Sequence, residues 1–375
     1  MLPDGGEIWT ETPPSGAVTA REAALPVNDK VLARETDAGI VLENACLRLT
    51  VDGQGRIIDL LDKENGCPML NPGQVMNDWR LYQNVQTVYD AWEMDFAWET
   101  GYMEDAVHAE ARVLRNTDKC VEIEVNYSFG QSSAVQTIRL RAEEKRVDFI
   151  TRVDWCERRK LLKAHFESNV LCEEAVHEIQ FGFVKRPCHR SHAFAKDRFE
   201  VSNHRYSALD EGNRGFALLN DGLYGLSTGR REMALTLLRA PLVPDDTCDR
   251  GEHQFTYSLM PFAGAFRDSG AARAGYALNM PVEVIPGTCS KAAGIWCDSQ
   301  SILLETIKPA EDGRGMILRL YESMGETASG VLRLPAEQNI FLSSMDETEE
   351  TFLCRGKEAA LTLRPFEIRT LRLTD

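Results

Sequence analysis

The amino-acid sequence predicts an all-β protein built from antiparallel sandwiches. Three observations carry this: the hydrophobic period is two, turn signals recur along the chain, and helical periodicity is rare. Val121, Ile123, Val125, Tyr127 and Phe129 alternate with Glu122, Glu124, Asn126 and Ser128. That alternation sends one set of side chains to a core face and the other to water. Leu47, Leu49 and Val51 repeat it, and Asp52-Gly53-Gln54-Gly55 then makes a turn. Val147, Phe149, Thr151 and Val153 form a further run, as do Met316, Leu318 and Leu320. Residues 216–219 and 223–226 flank Asn220-Asp221-Gly222, which predicts a hairpin because Asp-Gly tolerates positive φ. Phe366 and Ile368 share one phase and Leu371 and Leu373 the other, which predicts a bulge. One short helix is expected over 267–279, ended before Pro281. No strand–helix alternation exists, so a doubly wound or barrel α/β fold is excluded.

Composition bounds the function. The chain has 375 residues, 43% hydrophobic and 27% charged, enough for two or three packed domains. Residues 1–40 read as a partial β segment or linker, 41–280 as the large β region, and 281–375 as a smaller sandwich after a junction at 281–287. The net charge of −16 repels phosphate backbones and anionic lipid heads, which argues against nucleic-acid and membrane partners. It is compatible with a neutral ligand such as a sugar. The start carries no basic and apolar leader pattern, and no long apolar run appears, so a cytoplasmic location is expected. Ten cysteines are widely and irregularly spaced without a Cys-x-x-Cys pair, which predicts buried free thiols, not a zinc knuckle.

Few residues advertise chemistry. His189 and His192 are spaced so that their imidazoles can approach, but two ligands do not make a metal site. His204 and His253 each read first as hydrogen-bonded structural histidines. There is no phosphate-cradling glycine loop. The 58 acidic residues are too many to pick out a catalytic pair. The segment Tyr89-Asp90-Ala91-Trp92-Glu93-Met94-Asp95 mixes aromatics with carboxylates, as sugar sites do when they place a ring against a pyranose face and acids against its hydroxyls. Tyr89, Asp90, Trp92 and Asp95, with His204 and His253, are therefore the candidate substrate-facing residues. The competing reading of the segment is a strand with aromatics packed inward and acids outward.

Several ordered stretches resemble the post-catalytic β region of bacterial-type family 38 glycoside hydrolases, the α-mannosidases. They include Leu42 to Thr50, Ile57 to Glu64, Val88 to Asp95, and Asp154 to Lys163. Between Glu178 and Gly264 they continue with Arg186-Pro187-Cys188-His189, Arg198-Phe199-Glu200-Val201, Gly215 to Gly225, Leu237 to Pro241, and Asp249 to Leu259. Lys308-Pro309, Leu318 to Glu322 and Leu363 to Leu371 complete the series, and Pro13 to Gly16 resembles a loop that closes the preceding β element. Two departures stand out: His204-Arg205-Tyr206 replaces a usual His-Lys-Trp or His-Arg-Trp, and Leu259-Met260-Pro261-Phe262 replaces Leu-Tyr-Pro-His.

The resemblance implies a galactose-mutarotase-like super-sandwich followed by a smaller C-terminal sandwich. It implies that zinc and the nucleophile belong to an N-terminal barrel-like α/β domain, which needs about 250 residues. Only about 40 precede the first matching strand, so no catalytic or metal residue and no cofactor is expected in this chain. On this expectation the chain alone is inactive, and its partner is the α-mannosidase catalytic domain. A carbohydrate ligand and self-association both remain compatible with the sequence. The alternatives are a free-standing carbohydrate-binding protein around Trp92, and a mutarotase-like sugar enzyme using His204 or His253 with a nearby Glu.

Overall fold

The computed structural model describes residues 16–17, 30–84, 88–282 and 293–375. The expected junction at 281–287 lies mostly outside these residues, as do Cys289 and most of the Pro13–Gly16 stretch. The described chain forms two compact units. The first holds 30–84, 88–178 and 184–279; the second holds 16–17, 179–183, 280–282 and 293–375.

The first unit is the expected large sandwich of two antiparallel sheets. In the ten-stranded sheet, Glu232–Arg239, Lys160–Glu167 and Met76–Gln83 lie side by side, and Ile57–Asp62, Leu47–Val51, Gly39–Glu43 and Leu32–Thr36 continue to one edge. In the nine-stranded sheet, Arg214–Asn220, Gly251–Ala263, Val147–Trp155, Ser132–Arg141 and Cys120–Phe129 are successive neighbours. The alternating residues named above meet between the sheets: Leu47, Leu49, Val51, Val121, Ile123, Val125, Val147, Phe149 and Val153 share one apolar core. The helix is confirmed over Ala271–Asn279, with a 3-10 turn at Phe266–Asp268 before it.

A polar hub sits inside that apolar core. Pairing along Lys160–Glu167 jumps from His165 opposite Asp78 to Phe166 opposite Met76, which leaves Asn77 as a bulge at φ 58°. The side chain of Asn77 donates to Gln136 Oε1 (2.8 Å) and to the Gly55 carbonyl (3.0 Å). The Tyr257 hydroxyl donates to Asn77 Oδ1 (2.6 Å) and accepts from Trp79 Nε1 (2.9 Å) and Gln136 Nε2 (2.8 Å). Gln136 also donates to Thr151 Oγ1 (3.1 Å) and accepts from the Tyr127 hydroxyl (3.3 Å). Every donor and acceptor of Asn77, Gln136 and Tyr257 is thus used, and a fully satisfied buried network specifies a unique packing. Burial pushes the Tyr257 hydroxyl far above its ordinary range, so it stays protonated.

Two sequence expectations are corrected. Asn220-Asp221-Gly222 is not a hairpin turn: Arg214–Asn220 belongs to the nine-stranded sheet and Gly225–Gly229 to the ten-stranded one, so the chain crosses between sheets. The buried Asn220 side chain shapes that crossing, accepting from Gly222 N (3.0 Å) and Leu223 N (2.8 Å) and donating to the His204 carbonyl (2.7 Å). The phase change near the C-terminus is not a bulge, because Ile368–Thr374 pairs with Met316–Glu322 in unbroken register. Phe366 instead stands in the preceding turn at φ 57°. The buried Glu322 carboxylate holds that turn, accepting from Phe366 N (3.0 Å), Met324 N (2.7 Å) and Gly325 N (2.8 Å).

The second unit contains the smaller sandwich, a six-stranded antiparallel sheet wrapped around its own core of Ile302, Leu318, Leu320, Leu332, Ile340, Leu361 and Leu371. Its long strand Ala328–Ser343 keeps Glu350–Leu363 as a partner to its end and takes a second one partway. It shifts register against Glu350–Leu363 between Arg333 and Gln338, then pairs with Ile368–Thr374 from Asn339 onward.

Removing one hydroxyl tests the hub. Tyr257→Phe leaves Asn77 Oδ1, Trp79 Nε1 and Gln136 Nε2 short of a partner, and is expected to lower unfolding stability by about 1–3 kcal/mol in urea titration with the strand content unchanged. A loss within error would show that the hub does not hold the two sheets.

Candidate functional site

The aromatic and acidic segment from Tyr89 to Asp95 forms neither a strand nor a sugar cradle of carboxylates. It is a turn leading into a 3-10 helix at Phe96–Gly101. Asp90 is fully buried. Its carboxylate accepts from Leu242 N (2.9 Å) and Val243 N (2.8 Å), and Ala91 N returns a bond to the Val243 carbonyl (3.2 Å). Arg239 donates to the Glu93 carbonyl (2.6 Å) and to Asn84 Oδ1 (3.0 Å). Asp95 caps the 3-10 helix by accepting from Ala97 N (2.8 Å). Two of the four candidates are therefore backbone anchors. The other two are in water: Tyr89 is 50% and Trp92 72% exposed, with ring centroids 5.4 Å apart and planes tilted by 38°.

Below this segment the outer face of the ten-stranded sheet carries a dense ionic network that the sequence reading missed. Lys163 has no exposed surface in its side chain. Its ammonium bonds Glu200 Oε2 (2.6 Å) and Thr236 Oγ1 (3.0 Å), and lies 4.5 Å from the centroid of the buried Trp98 ring. Burial pushes this ammonium below its ordinary value, and the Glu200 carboxylate opposes that shift. One pair further along, His165 binds Glu232 through Nδ1 and the Tyr82 hydroxyl through Nε2 (2.8 Å). A carboxylate at Nδ1 makes that nitrogen the donor, so Nε2 accepts from Tyr82. Burial holds the imidazole below its usual range, with Glu232 opposing. Arg80 joins Asp78 (2.7 Å) to Glu167 (2.9 Å).

The signal for this face was present in Lys160–Glu167. Leu162, Ala164 and Phe166 point to the core, and Lys163, His165 and Glu167 take the other phase of a period of two. A second exposed segment is tied to the first. Arg190 forms a two-pronged pair with Glu99, and the Phe96 ring lies edge-on to Phe199 with centroids 6.3 Å apart.

The remaining histidines are placed separately. The His204 ring lies beside Tyr224, with centroids 5.3 Å apart. Glu178, near His204, gives its carboxylate to the backbone N–H of Arg205 (2.6 Å) and to its guanidinium (2.7 Å). His253 bonds the Asp249 carbonyl through Nε2 (2.7 Å). His189 and His192 do approach, with centroids 5.8 Å apart, but His192 accepts from Ala195 N as a helix cap and His189 bonds Ser191. Among the described residues no group of three His, Cys, Asp or Glu side chains is placed to hold a metal ion. These residues do not fit a zinc. A cleft of about 110 Å³, lined among others by Gln54, Arg56, Arg80 and Tyr102, is well below the roughly 300 Å³ at which pockets begin to enclose a drug-sized ligand. Among the described residues no helix is long and apolar enough to cross a membrane.

The architecture matches solved glycosidase folds. It superposes on an α-mannosidase from Enterococcus faecalis V583 with a TM-score of 0.73 at 14% identity, covering 93% of this chain and 43% of that one. The fold is thus shared with part of that protein, and sequence gives the family. The model of the glycosyl hydrolases family 38 C-terminal domain matches residues 42–247, and that of the family 38 C-terminal beta sandwich domain matches 301–371. The chain belongs to glycoside hydrolase family 38, as its C-terminal region. It is 34% identical over 375 residues to alpha-mannosidase 2C1 of Homo sapiens, covering 95% of this chain and 35% of that protein. It is 31% identical to alpha-mannosidase G of Dictyostelium discoideum, covering 90% and 33%. The chain spans about a third of the length of these relatives.

The buried ion pair is testable. Lys163→Met leaves Glu200 without its cation and is expected to cost about 3–5 kcal/mol in chemical denaturation, because an unpaired carboxylate remains against an apolar surface. The double variant Lys163→Met/Glu200→Leu should recover much of that loss. Equal losses in both would mean that the two groups do not depend on each other.

Proposed function

We propose that this chain is the non-catalytic β region of an α-mannosidase. In this reading it buttresses a zinc-dependent catalytic domain, and the assembled protein hydrolyses terminal α-mannosides. The observation that carries the reading is the family match to both units, joined to relatives named α-mannosidases that align over nearly the whole chain. In those relatives about two thirds of the length lies outside the aligned part, and the proposal places the nucleophile and zinc there. The chain's contribution is rigidity: its charged side chains near Trp98 are bonded to one another. The same reading puts the protein in the cytoplasm, which suits the nine free cysteines among the described residues.

Turnover of an aryl α-mannoside tests this directly. The purified chain should release no chromophore, with or without added zinc, while a polypeptide carrying the catalytic domain as well should. Release proportional to the amount of this chain, above a heat-killed control, would sink the proposal.

A carbohydrate-binding role is the second reading, favoured by the Tyr89 and Trp92 rings, which are held in water by a buried anchor at Asp90. Exposed aromatic faces stack on the C–H side of pyranoses. Calorimetric titration with mannobiose is expected to give heat in the millimolar range that Trp92→Ala removes. No heat at those concentrations, or unchanged heat in Trp92→Ala, would end this reading.

A further inference from the structure

The geometry points to Cys172 and Cys188 as a dithiol site that a hydroperoxide converts to a disulfide. Their Sγ atoms are 3.5 Å apart, although fifteen residues separate the two in sequence. Both are buried, at 5% and 6% exposure. The backbone holds them there from both sides. Cys172 N donates to the Arg230 carbonyl (3.0 Å), and Cys188 N donates to the Glu173 carbonyl (2.8 Å) at the open end of the hairpin formed by Glu174–Ile179 and Gly182–Pro187. A disulfide needs its sulfurs about 2.0 Å apart, so a closure of about 1.5 Å suffices, within reach of side-chain rotation.

The two thiols are not equivalent. The hydrogen bond between them pushes Cys172 up and draws Cys188 down, with burial opposing the second shift. The proposal assigns the first attack to Cys188. It also lies two residues from the exposed Arg190, which leads into the stretch tied to Glu99.

The reaction balances in two steps. The Cys188 thiolate attacks the peroxide oxygen, the O–O bond breaks, and hydroxide leaves to become water as Cys188 becomes a sulfenic acid. Cys172 sulfur then attacks Cys188 Sγ, the S–O bond breaks, and a second water leaves with the Cys172 proton. Two thiols are oxidised and one peroxide is reduced to two waters. The product ties the base of the hairpin to the stretch that carries Arg190 and Phe194.

The test uses the full chain and hydrogen peroxide. Thiol titration under denaturing conditions should lose two of the ten cysteines, the intact mass should fall by two hydrogens, and peptide mapping should join Cys172 to Cys188. Dithiothreitol should reverse all three changes. In Cys172→Ser the sulfenic acid should persist on Cys188 and take a dimedone label. If both cysteines of the unmodified protein stay alkylatable after peroxide, or either pairs with a different cysteine, the proposal fails. The map on the unmodified protein decides the matter even if the variant does not fold.

Discussion

The large sandwich depends on one buried hydroxyl. Tyr257 reaches from the nine-stranded sheet to Asn77 and Trp79 on the ten-stranded one, and Gln136 accepts from the same Asn77. Apolar contacts between two sheets are non-directional and tolerate small slides. A hydrogen-bond set with no spare donor or acceptor does not, because any slide leaves a polar atom unpaired in the core. The bulge that swings Asn77 inward is therefore part of the register of the whole unit. It also leaves Asp78 and Arg80 on the outer face, where the ionic network begins.

The motifs that carry the family resemblance prove to be one another's partners. Asp90 of the Val88–Asp95 stretch binds the backbone just beyond Leu237–Pro241, and Arg239 of that second stretch returns a bond to Glu93. Lys163, ending the Asp154–Lys163 stretch, pairs with Glu200 of Arg198–Val201. Tyr257 of Asp249–Leu259 is the hub of the core, and Glu322 of Leu318–Glu322 holds the turn at Phe366 within Leu363–Leu371. Several of these residues, Asp90, Lys163, Tyr257 and Glu322 among them, are buried polar groups whose partners lie far along the chain, so a change at one end strands the other. On this account the family signature in this chain is mainly a signature of fold. Asp90 and Asp95, which read as substrate-facing in the sequence, are backbone anchors.

The all-β class, the alternating core positions, the lone helix near residue 270 and the family were legible in the sequence. Period-two burial and turn chemistry are local properties, and the motifs are strings. The site was legible only in part. Tyr89 and Trp92 were picked out for their ring chemistry, and they are the members of that segment that face water. Asp90 and Asp95 were chosen on the same grounds but are committed to backbone N–H groups. A carboxylate in a string carries no mark of whether solvent or a buried amide will meet it.

What the sequence alone determined is therefore which faces of the strands are apolar and which family the chain belongs to. Tertiary structure decided the rest. It set which sheet receives the strand after Asn220, placed the phase change at Phe366 in a turn, brought His165 to Glu232 and Lys163 to Glu200, and set two sulfurs side by side. Each of these outcomes joins residues distant in sequence through a hydrogen bond, a charge or a contact. The energy of such a pairing exists only once the intervening chain has folded, so no local pattern records it.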